Sequence, residues 1–495
     1  MREHNPSLPI FVADVAARSP TGQCDCACDC GYSEPTPLPS ALLATELPSV
    51  LSAAPEMLAF SLADGFRLAL APQQGRIAVM RPAAWEVWRA FAQPQPVEAA
   101  VARVPGQSPQ AVRDVIAQMV AMGFLQAEGT CLASHCAHEP QTLIAWLHVT
   151  NACNLRCSYC YLTKTDEVMS DETGRQAIQA VFRSAQAGGF HAIKLKYAGG
   201  EPTLNFPLAL SLHRQARSLA ERHHLELDGV ILSNGTGWTL QMIEAMKTHG
   251  IRVMLSLDGI GQAHDAQRMF INSRGTFAIV SRTVERLLAH SVAPDISITV
   301  SDRNIDGLPD LMAWVLERDL PFSLNFYRQT ECSASFQDLM FGERRIVAGM
   351  KEAYRVVEAN LPRRSLMGSL LDRASLAGPH HHTCAASRNY LVIDHHGQIA
   401  KCQMDLKHPV TDVRAADPLA AIRAEPLRFQ NVDVDKKAGC RDCAWRYGCT
   451  GGCPLQTWRA MGRSDVQSPN CNIYKALFPD VLRLEGLRLL KYADT

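Results

Sequence analysis

LIAWLHVTNACNLRCSYC, residues 143–160, decides the reading of the chain. LIAWLHVT is an apolar run of strand length, and the cysteine-rich loop CNLRCSYC follows it directly. Cys153, Cys157 and Cys160 are spaced by three residues and then by two. A four-iron cube normally takes four thiolates. Three thiolates on one tight loop hold three irons and leave the fourth with an open position, the feature that separates catalytic metal sites from closed ones. A zinc site is the competing reading. It is weakened by the lack of a fourth ligand nearby.

Outward from this loop the rhythm is strand, loop, helix. Further strands are expected at 192–198, 229–234, 253–258, 296–301 and 322–327, with helices such as 171–186 and 276–290 between them. Six β–α units predict a parallel sheet curled into a partial barrel. In such folds the chemistry sits at the C-terminal ends of the strands. KYAGGEP ends the second strand. Gly199 and Gly200 let a backbone approach a ligand closely, and the Glu201 carboxylate can accept from an ammonium group. SNGT ends the third and offers the Ser233 hydroxyl and Asn234 amide to ribose or carboxylate. SLDG ends the fourth with Ser256, and Arg268 follows in HDAQR. Arginine suits a carboxylate through its fork of donors.

The CX3CX2C loop after a first strand, with the aromatic Tyr159 before the last cysteine, resembles the radical S-adenosylmethionine (radical SAM) superfamily. The resemblance implies that Cys153, Cys157 and Cys160 hold a [4Fe-4S] cluster. The methionine part of S-adenosyl-L-methionine would fill the open iron, and reductive cleavage would give a 5′-deoxyadenosyl radical. It also implies that Tyr159, Gly199, Gly200, Glu201, Ser233, Asn234, Ser256 and Arg268 surround that cofactor, with Ser256 and Arg268 facing its carboxylate and ribose.

A second cysteine array lies toward the C-terminus. Cys384 is followed by Gly397, four residues and Cys402; then come Cys440, Cys443, Cys449, Cys453 and Cys471. The CX2CX5CX3C string between flanking cysteines resembles the SPASM extension of peptide-modifying radical enzymes. By that resemblance Cys440, Cys443, Cys449 and Cys471 hold one auxiliary [4Fe-4S] cluster completely. Cys384, Cys402 and Cys453 hold another, for three clusters in all. A structural zinc ribbon is the alternative, and seven thiols suit one zinc poorly. Sulfatase-maturing relatives carry a further cysteine soon after the first, which AASRNYLVID lacks. They also carry Asp after the G-X4-C cysteine, where this chain has Gln403, with Asp405 two further on. Formylglycine formation is thereby disfavoured. The inner cluster then has an open iron, for which substrate thiolate, water, Cys332 or one of His380, His381 and His382 compete. Asp405 and Cys332 are the candidate catalytic residues, and no proton acceptor is assigned.

Ahead of the barrel, MLAFSLADGFRLAL (57–70) reads as a hairpin about Asp64-Gly65. A strand at 76–80 and helices at 83–92 and 109–125 follow. The unit is winged-helix-like and resembles the leader-binding element of peptide-maturing systems, which adds a peptide strand by β-augmentation; a generic structural cap is the alternative. The N-terminal tail contains CDCACDC (24–30). A disordered tail with incidental thiols, a metal- or cluster-delivery tail and a built-in segment resembling the substrate all remain open. The division expected is a tail at 1–46, a recognition unit at 47–135, a barrel at 140–335, a helical bridge at 336–383, an auxiliary-cluster region at 384–480 and a closing helix at 481–495. The fold class is α/β: a partial (β/α)6 TIM-like barrel between these two smaller units.

Composition sets the bounds. The chain has 495 residues, 47% hydrophobic and 20% charged, with zero formal net charge and 17 cysteines. Zero net charge argues against nucleic acid or anionic lipid as partner. No secretory signal or membrane-length apolar run is present. A cytoplasmic location is expected, where clustered thiols suit metal rather than disulfides. The expected function is maturation of a ribosomally made precursor peptide by an intramolecular cross-link, thioether first and carbon–carbon next. A flavodoxin or ferredoxin would supply low-potential electrons. Maturation of a full-size enzyme, either a sulfatase or an amine dehydrogenase subunit, is one alternative. A non-catalytic iron–sulfur electron-transfer protein is the other.

Overall fold

A computed structural model of the protein describes residues 10–12, 47–104, 106–127 and 140–492. The CDCACDC stretch lies outside the described residues. The N-terminal region runs β1 (Ile10–Val12), β2 (Val50–Ala53), β3 (Leu58–Ser61), β4 (Arg67–Ala71), β5 (Arg76–Met80), α1 (Pro82–Ala90), β6 (Gln95–Pro96), α2 (Val97–Arg103), α3 (Pro109–Ala121) and β7 (Leu125–Ala127). The hairpin β3–β4 turns where Asp64 and Gly65 both take positive φ, as Asp-Gly permits. Helix α3 starts where the Ser108 hydroxyl accepts from the Ala111 amide and Pro109 fits the first turn. It buries Val112, Val115, Ile116 and Met119 against Leu51, Ala69 and Met80. One sheet has the order β1-β5-β4-β3, the other β6-β2-β7. Strand β1 lies antiparallel along β5.

The central sheet contains β8 (Thr142–Thr150), β9 (Ala192–Gly199), β10 (Glu226–Ser233), β11 (Ile251–Ser256), β12 (Asp295–Val300) and β13 (Phe322–Phe326), all parallel to their neighbours. Helices α4 (Asp171–Ala187), α5 (Phe206–His223), α6 (Leu240–His249), α7 (Gln262–Asp265), α8 (Phe277–Ala289) and α9 (Leu308–Glu317) lie between the strands. Alternation along β9 sorts the layers: Ile193, Leu195 and Tyr197 join the large helix-packed core, while Lys194 and Lys196 are buried on the other face. Near the strand starts, Arg252 bridges Asp228 at 2.5 Å and Asp295 at 3.7 Å, and Lys194 approaches Asp228 at 3.9 Å. This ionic layer occupies the base of the barrel, so the open end is the C-terminal one.

The C-terminal region is loop-rich, as expected, but it also extends the central sheet. After α10 (Glu343–Ala359), strand β14 (Tyr390–Ile393) pairs in parallel with β8, and β15 (Gln398–Ala400) and β16 (Thr411–Asp412) continue the sheet to nine strands. The auxiliary region thus shares the barrel's backbone ladder. The segment expected as a helical bridge is helical in α10 and irregular from 360 to 383, where Pro362, Gly368 and the Gly378-Pro379 pair oppose a helix. Three helices follow, α11 (Pro418–Ala424), α12 (Arg446–Cys449) and α13 (Pro454–Met461). The last helix, α14 (Cys471–Tyr492), begins at Cys471 rather than near 481. It buries Tyr474, Leu477, Phe478 and Leu482 in the main core. Its Glu485, fully buried with Arg488, accepts from the Leu366 amide at 3.1 Å and ties down the irregular segment. The N-terminal region docks on this side: Arg446 bridges Glu56 at 2.7 Å, and Phe60 stacks on Trp445. Among the described residues no helix is long and apolar enough to cross a membrane.

Candidate active site

Loops from four strand ends clamp the loop that carries Cys153, Cys157 and Cys160. From the end of β9, the Gly200 and Glu201 amides donate to the Thr150 and Ala152 carbonyls at 2.8 and 2.9 Å. A Cβ on Gly199 would lie 2.1 Å from the Thr150 carbonyl oxygen, and one on Gly200 2.1 Å from that of Ala152. The glycines therefore serve a close approach to the chain's own cysteine loop. From the end of β10, Asn234 Nδ2 donates to Asn154 Oδ1 at 2.9 Å and lies 3.9 Å from Cys153 Sγ, while Asn154 donates to Thr236 Oγ1. From the loop after β11, Met269 and Gln267 carbonyls accept from the Arg156 and Ser158 amides. From the loop after β12, Arg303 donates to Ser158 Oγ and to the Ala266 carbonyl.

Glu201 is 1% exposed. Its oxygens accept from the Thr203 amide and hydroxyl, Ser233 Oγ and the Asn234 amide, at 2.7 to 3.1 Å. Burial pushes its carboxyl up, against the pull of these donors. Ser233 Oγ also accepts from Trp238 Nε1 at 3.0 Å. These mutual contacts of Glu201, Ser233 and Asn234 fix the floor beneath the cysteine loop.

Arg268 also has a partner that the sequence did not announce. Tyr159 donates to Asp258 Oδ2 at 2.5 Å and accepts from Arg268 Nη1, and Arg268 lies 3.7 Å from Asp258. Asp258 is fully buried and accepts from the Thr299 amide. Its own amide donates to His264 Nδ1, so His264 Nε2 carries the proton toward Thr276 Oγ1. Burial drives His264 down to about 3, which keeps it neutral. Asp258 stands in SLDG two residues after Ser256, and that placement was its available signal. Ser256 ends β11 opposite Ser297 and is not hydrogen-bonded to Arg268. Two buried donors, Arg268 Nε and Gln267 Nε2, have no hydrogen-bond partner. Such orphaned donors at the mouth fit an anionic group such as a carboxylate.

Burial pushes the Cys153 thiol up to about 11 and raises Cys157 as well. The buried thiols stay protonated until a cation replaces the protons. The Leu155 amide points at Cys153 Sγ from 3.4 Å, ready to stabilise the thiolate. Tetrahedral zinc would hold its sulfurs about 3.8 Å apart. Among the described residues, the groups of three whose donor atoms converge within 4.8 Å are Glu167–His395–His396 and His381–Asp433–Asp435, neither a cysteine triad. Three cysteines on one loop without a fourth protein ligand fit an iron–sulfur cube better than a tetrahedral zinc ion.

The C-terminal cysteines fall into two sets. Cys440, Cys443, Cys449 and Cys471 line one cavity of about 340 Å³, walled by Trp445, Tyr474 and Phe478. Cys384, Cys402 and Cys453 pack together with Tyr390 and Phe429. Thr450, Gly451 and Gly452 all take positive φ and turn the chain between Cys449 and Cys453, so neighbouring cysteines serve different sets. Burial pushes Cys402 and Cys449 up to about 12. Cys453 behaves oppositely. Burial raises it, but the guanidiniums of Arg328 and Arg373 outweigh burial and bring it below its usual value. Arg328 is itself buried and bridged to Asp372 at 2.5 Å, and Tyr474 donates to the same carboxylate. No sequence signal joins 328, 372, 453 and 474, which meet only in the fold.

A cleft of about 810 Å³ runs from Tyr161, Leu162 and Thr163, just after Cys160, to Gln403, beside Cys402. Cys332 lies on it, 3.5 Å from the Tyr161 carbonyl and 3.4 Å from Thr163 Oγ1. Asp405 also lines it, but Arg428 at 2.7 Å and His408 at 3.1 Å already occupy its carboxylate. Gln403 Oε1 accepts from Tyr390 at 3.1 Å. His380 is buried against the Gly378 carbonyl, and His381 pairs with Asp433.

Comparison with known proteins matches residues 147–315 to the Radical SAM superfamily. The chain is 24% identical over 350 residues to a serine-type anaerobic sulfatase-maturating enzyme of Klebsiella aerogenes, covering 67% of this chain and 83% of that protein. It is 25% identical over 219 residues to the antilisterial bacteriocin subtilosin biosynthesis protein AlbA of Bacillus subtilis (strain 168), covering 42% of this chain and 45% of that one. A solved structure described as native anSMEcpe with bound AdoMet and Cp18Cys peptide superposes with a TM-score of 0.56 at 18% identity, over 71% of this chain and 99% of that one, and shows the shared fold. The cysteine loop at the mouth of the barrel lies inside the matched stretch, so residues 147–315 carry a Radical SAM domain.

Proposed function

We propose that the protein matures a ribosomally made peptide by installing an intramolecular cross-link, a thioether first and a carbon–carbon bond second. The observation that supports this is a cleft that runs from Tyr161, next to Cys160, to Gln403, next to Cys402. Cys153, Cys157 and Cys160 would hold the cluster that binds S-adenosylmethionine, and that pair supplies, when bound, the radical that abstracts hydrogen. Cys440, Cys443, Cys449 and Cys471 would hold one auxiliary cluster completely. Cys384, Cys402 and Cys453 would hold another, leaving one iron without a cysteine of their set. Forming a thioether removes one C–H hydrogen atom, one thiol proton and one electron, and a thiol held between the two ends of the cleft is oriented for it. The wall there is fixed by side chains: Lys407 bridges Glu331 across it, and Arg428 holds Asp405.

The N-terminal region would recognise the leader of that peptide. Strand β1 already adds antiparallel to β5, the geometry of β-augmentation. AlbA, a bacteriocin biosynthesis protein by its description, supports a peptide substrate. A flavodoxin or ferredoxin would be the electron donor. The sulfatase-maturating relative supports a second reading, maturation of a folded enzyme. Against formylglycine formation stand Gln403 and the already engaged Asp405.

Anaerobic reconstitution should load about twelve irons per chain if three cubes are held. With the precursor and a strong reductant, the product should lose two hydrogens and one titratable thiol. A product that loses two hydrogens but keeps every thiol rejects the thioether in favour of carbon–carbon closure. Absence of any mass change with a cysteine-rich peptide, together with oxidation of a sulfatase serine, would establish the second reading instead.

A further inference from the structure

Away from the cysteines, one cluster of side chains has the geometry of a metal site. Glu167 lies on the chain between the cysteine loop and α4, and His395 and His396 form the turn between β14 and β15. His395 Nε2 is 3.3 Å from Glu167 Oε2, and His396 Nε2 is 3.6 Å from Oε1. A tetrahedral centre with bonds of 2.0 to 2.1 Å sets its donors about 3.3 to 3.4 Å apart. The three donor atoms all lie within 4.8 Å of one another, so modest side-chain rotation would close them on one ion. The two rings lie side by side, with centroids 4.0 Å apart, and face the same carboxylate. A single divalent ion would take both rings and the carboxylate at once.

The scaffold is fixed on both sides. Thr165 Oγ1 donates to Glu167 Oε2 at 2.7 Å, and the Glu167 carbonyl accepts from the Asn151 amide at 2.8 Å. Opposite, Asp394 Oδ1 accepts from the His396 and Gln398 amides at 2.9 and 2.8 Å and closes the turn. Such outer contacts orient ligands. Among the described residues, the ion pairs of Glu167 are with these two histidines alone. The other convergent group, His381–Asp433–Asp435, differs because Arg446 lies 3.7 Å from Asp435 and already supplies a cation.

We propose that Glu167, His395 and His396 bind one divalent transition-metal ion of zinc type, with water completing the coordination. Two imidazoles and a carboxylate without thiolate suit zinc and its neighbours rather than an iron–sulfur cluster. The ion joins the segment after the cysteine loop to the β14–β15 turn. His395 also lines the cleft, so the clasp forms part of its rim.

The test uses iron-reconstituted protein, freed of loose metal and titrated with Zn²⁺, beside His396→Ala and Glu167→Gln. His396 is 58% exposed on its side chain, so its removal leaves the packing intact. At equal iron content the parent protein should retain one more equivalent of zinc than either variant, with affinity at that site at least about tenfold higher. Zinc should also slow amide exchange in residues 161–168 and 394–398 of the parent alone. Equal zinc retention in all three proteins, or zinc-dependent protection that persists in His396→Ala, overturns the proposal.

Discussion

The barrel's cysteines and the outer auxiliary cysteines solve the same ligand problem in opposite ways. Cys153, Cys157 and Cys160 come from one short loop, and buried polar side chains, Glu201, Asn234, Asp258 and Arg268, lie around it. Cys440 and Cys443 come from a turn, Cys449 from the end of α12 and Cys471 from the start of α14, and three rings, Trp445, Tyr474 and Phe478, help line their cavity. Trp445 in turn is stacked between Phe60 and Phe478, at 6.1 and 4.7 Å. Under the proposed assignment, three ligands in a polar mouth leave room for an incoming anionic group, and four ligands in the outer cavity leave none. On that reading the difference teaches that the barrel set would serve exchange and the outer set retention.

Two substitutions would break that contrast if it were wrong. Cys157→Ala should lower 5′-deoxyadenosine formation more than about 100-fold and remove about four of twelve irons. Undiminished release under strong reductant would sink the assignment of the barrel loop. Cys443→Ala should remove a similar amount of iron yet leave nucleotide cleavage within a few-fold of the parent, while cross-linking fails. Equal loss of cleavage in both variants would erase the distinction between an exchanging and a retaining set.

Acid should affect the mouth through its histidines. His264 and His148 are both driven down to about 3, His264 by burial and then by Arg268, His148 by burial and then by His395. Their folded values lie below the unfolded value near 6.5, so the unfolded chain binds more protons between the two. Their stabilisation is therefore complete above about pH 6.5 and is lost as pH falls toward 3. Each contributes a slope of about 1.4 kcal/mol per pH unit in that window. Urea midpoints measured from pH 7 to 4 should drop, and His264→Gln should flatten the dependence. An unchanged slope in that variant would show that His264 is not among the groups responsible.

How much of this was readable beforehand follows from how local each signal is. Cysteine spacing, the period-two alternation of KLKY and the Asp-Gly turn are carried by neighbouring residues, and the strands fell where the apolar runs lie. Gly199 and Gly200 were recognisable as a close approach, but not what they approach, because Thr150 and Ala152 are about fifty residues away in sequence. Arg268 was recognisable as a donor. Its partner Tyr159 comes from another loop and Asp258 from the start of its own, ten residues earlier, and no local pattern pairs them. Strand β14 is a short apolar run, YLVI, hidden between cysteines. Its place beside β8 depends on a ladder that closes across some 240 residues.

The finest test concerns Tyr159. Its hydroxyl stands between Asp258 and Arg268, which are 3.7 Å apart and both buried. Removing that oxygen in Tyr159→Phe leaves Asp258 without one donor and Arg268 without one acceptor, each in a site water does not reach easily. Bonds to charged groups contribute about 1.5 to 3 kcal/mol, but the ion pair can tighten across the gap and recover part of this. A net loss of about 2 kcal/mol is expected, read as a lower urea midpoint with an unchanged slope. The cysteine loop should keep its iron, because the clamps through Gly200, Asn234 and Met269 do not involve the phenol. If iron content fell with stability, the hydroxyl would belong to the ligand shell of the exchanging set. A pure stability loss would place it in the polar frame that holds that set open.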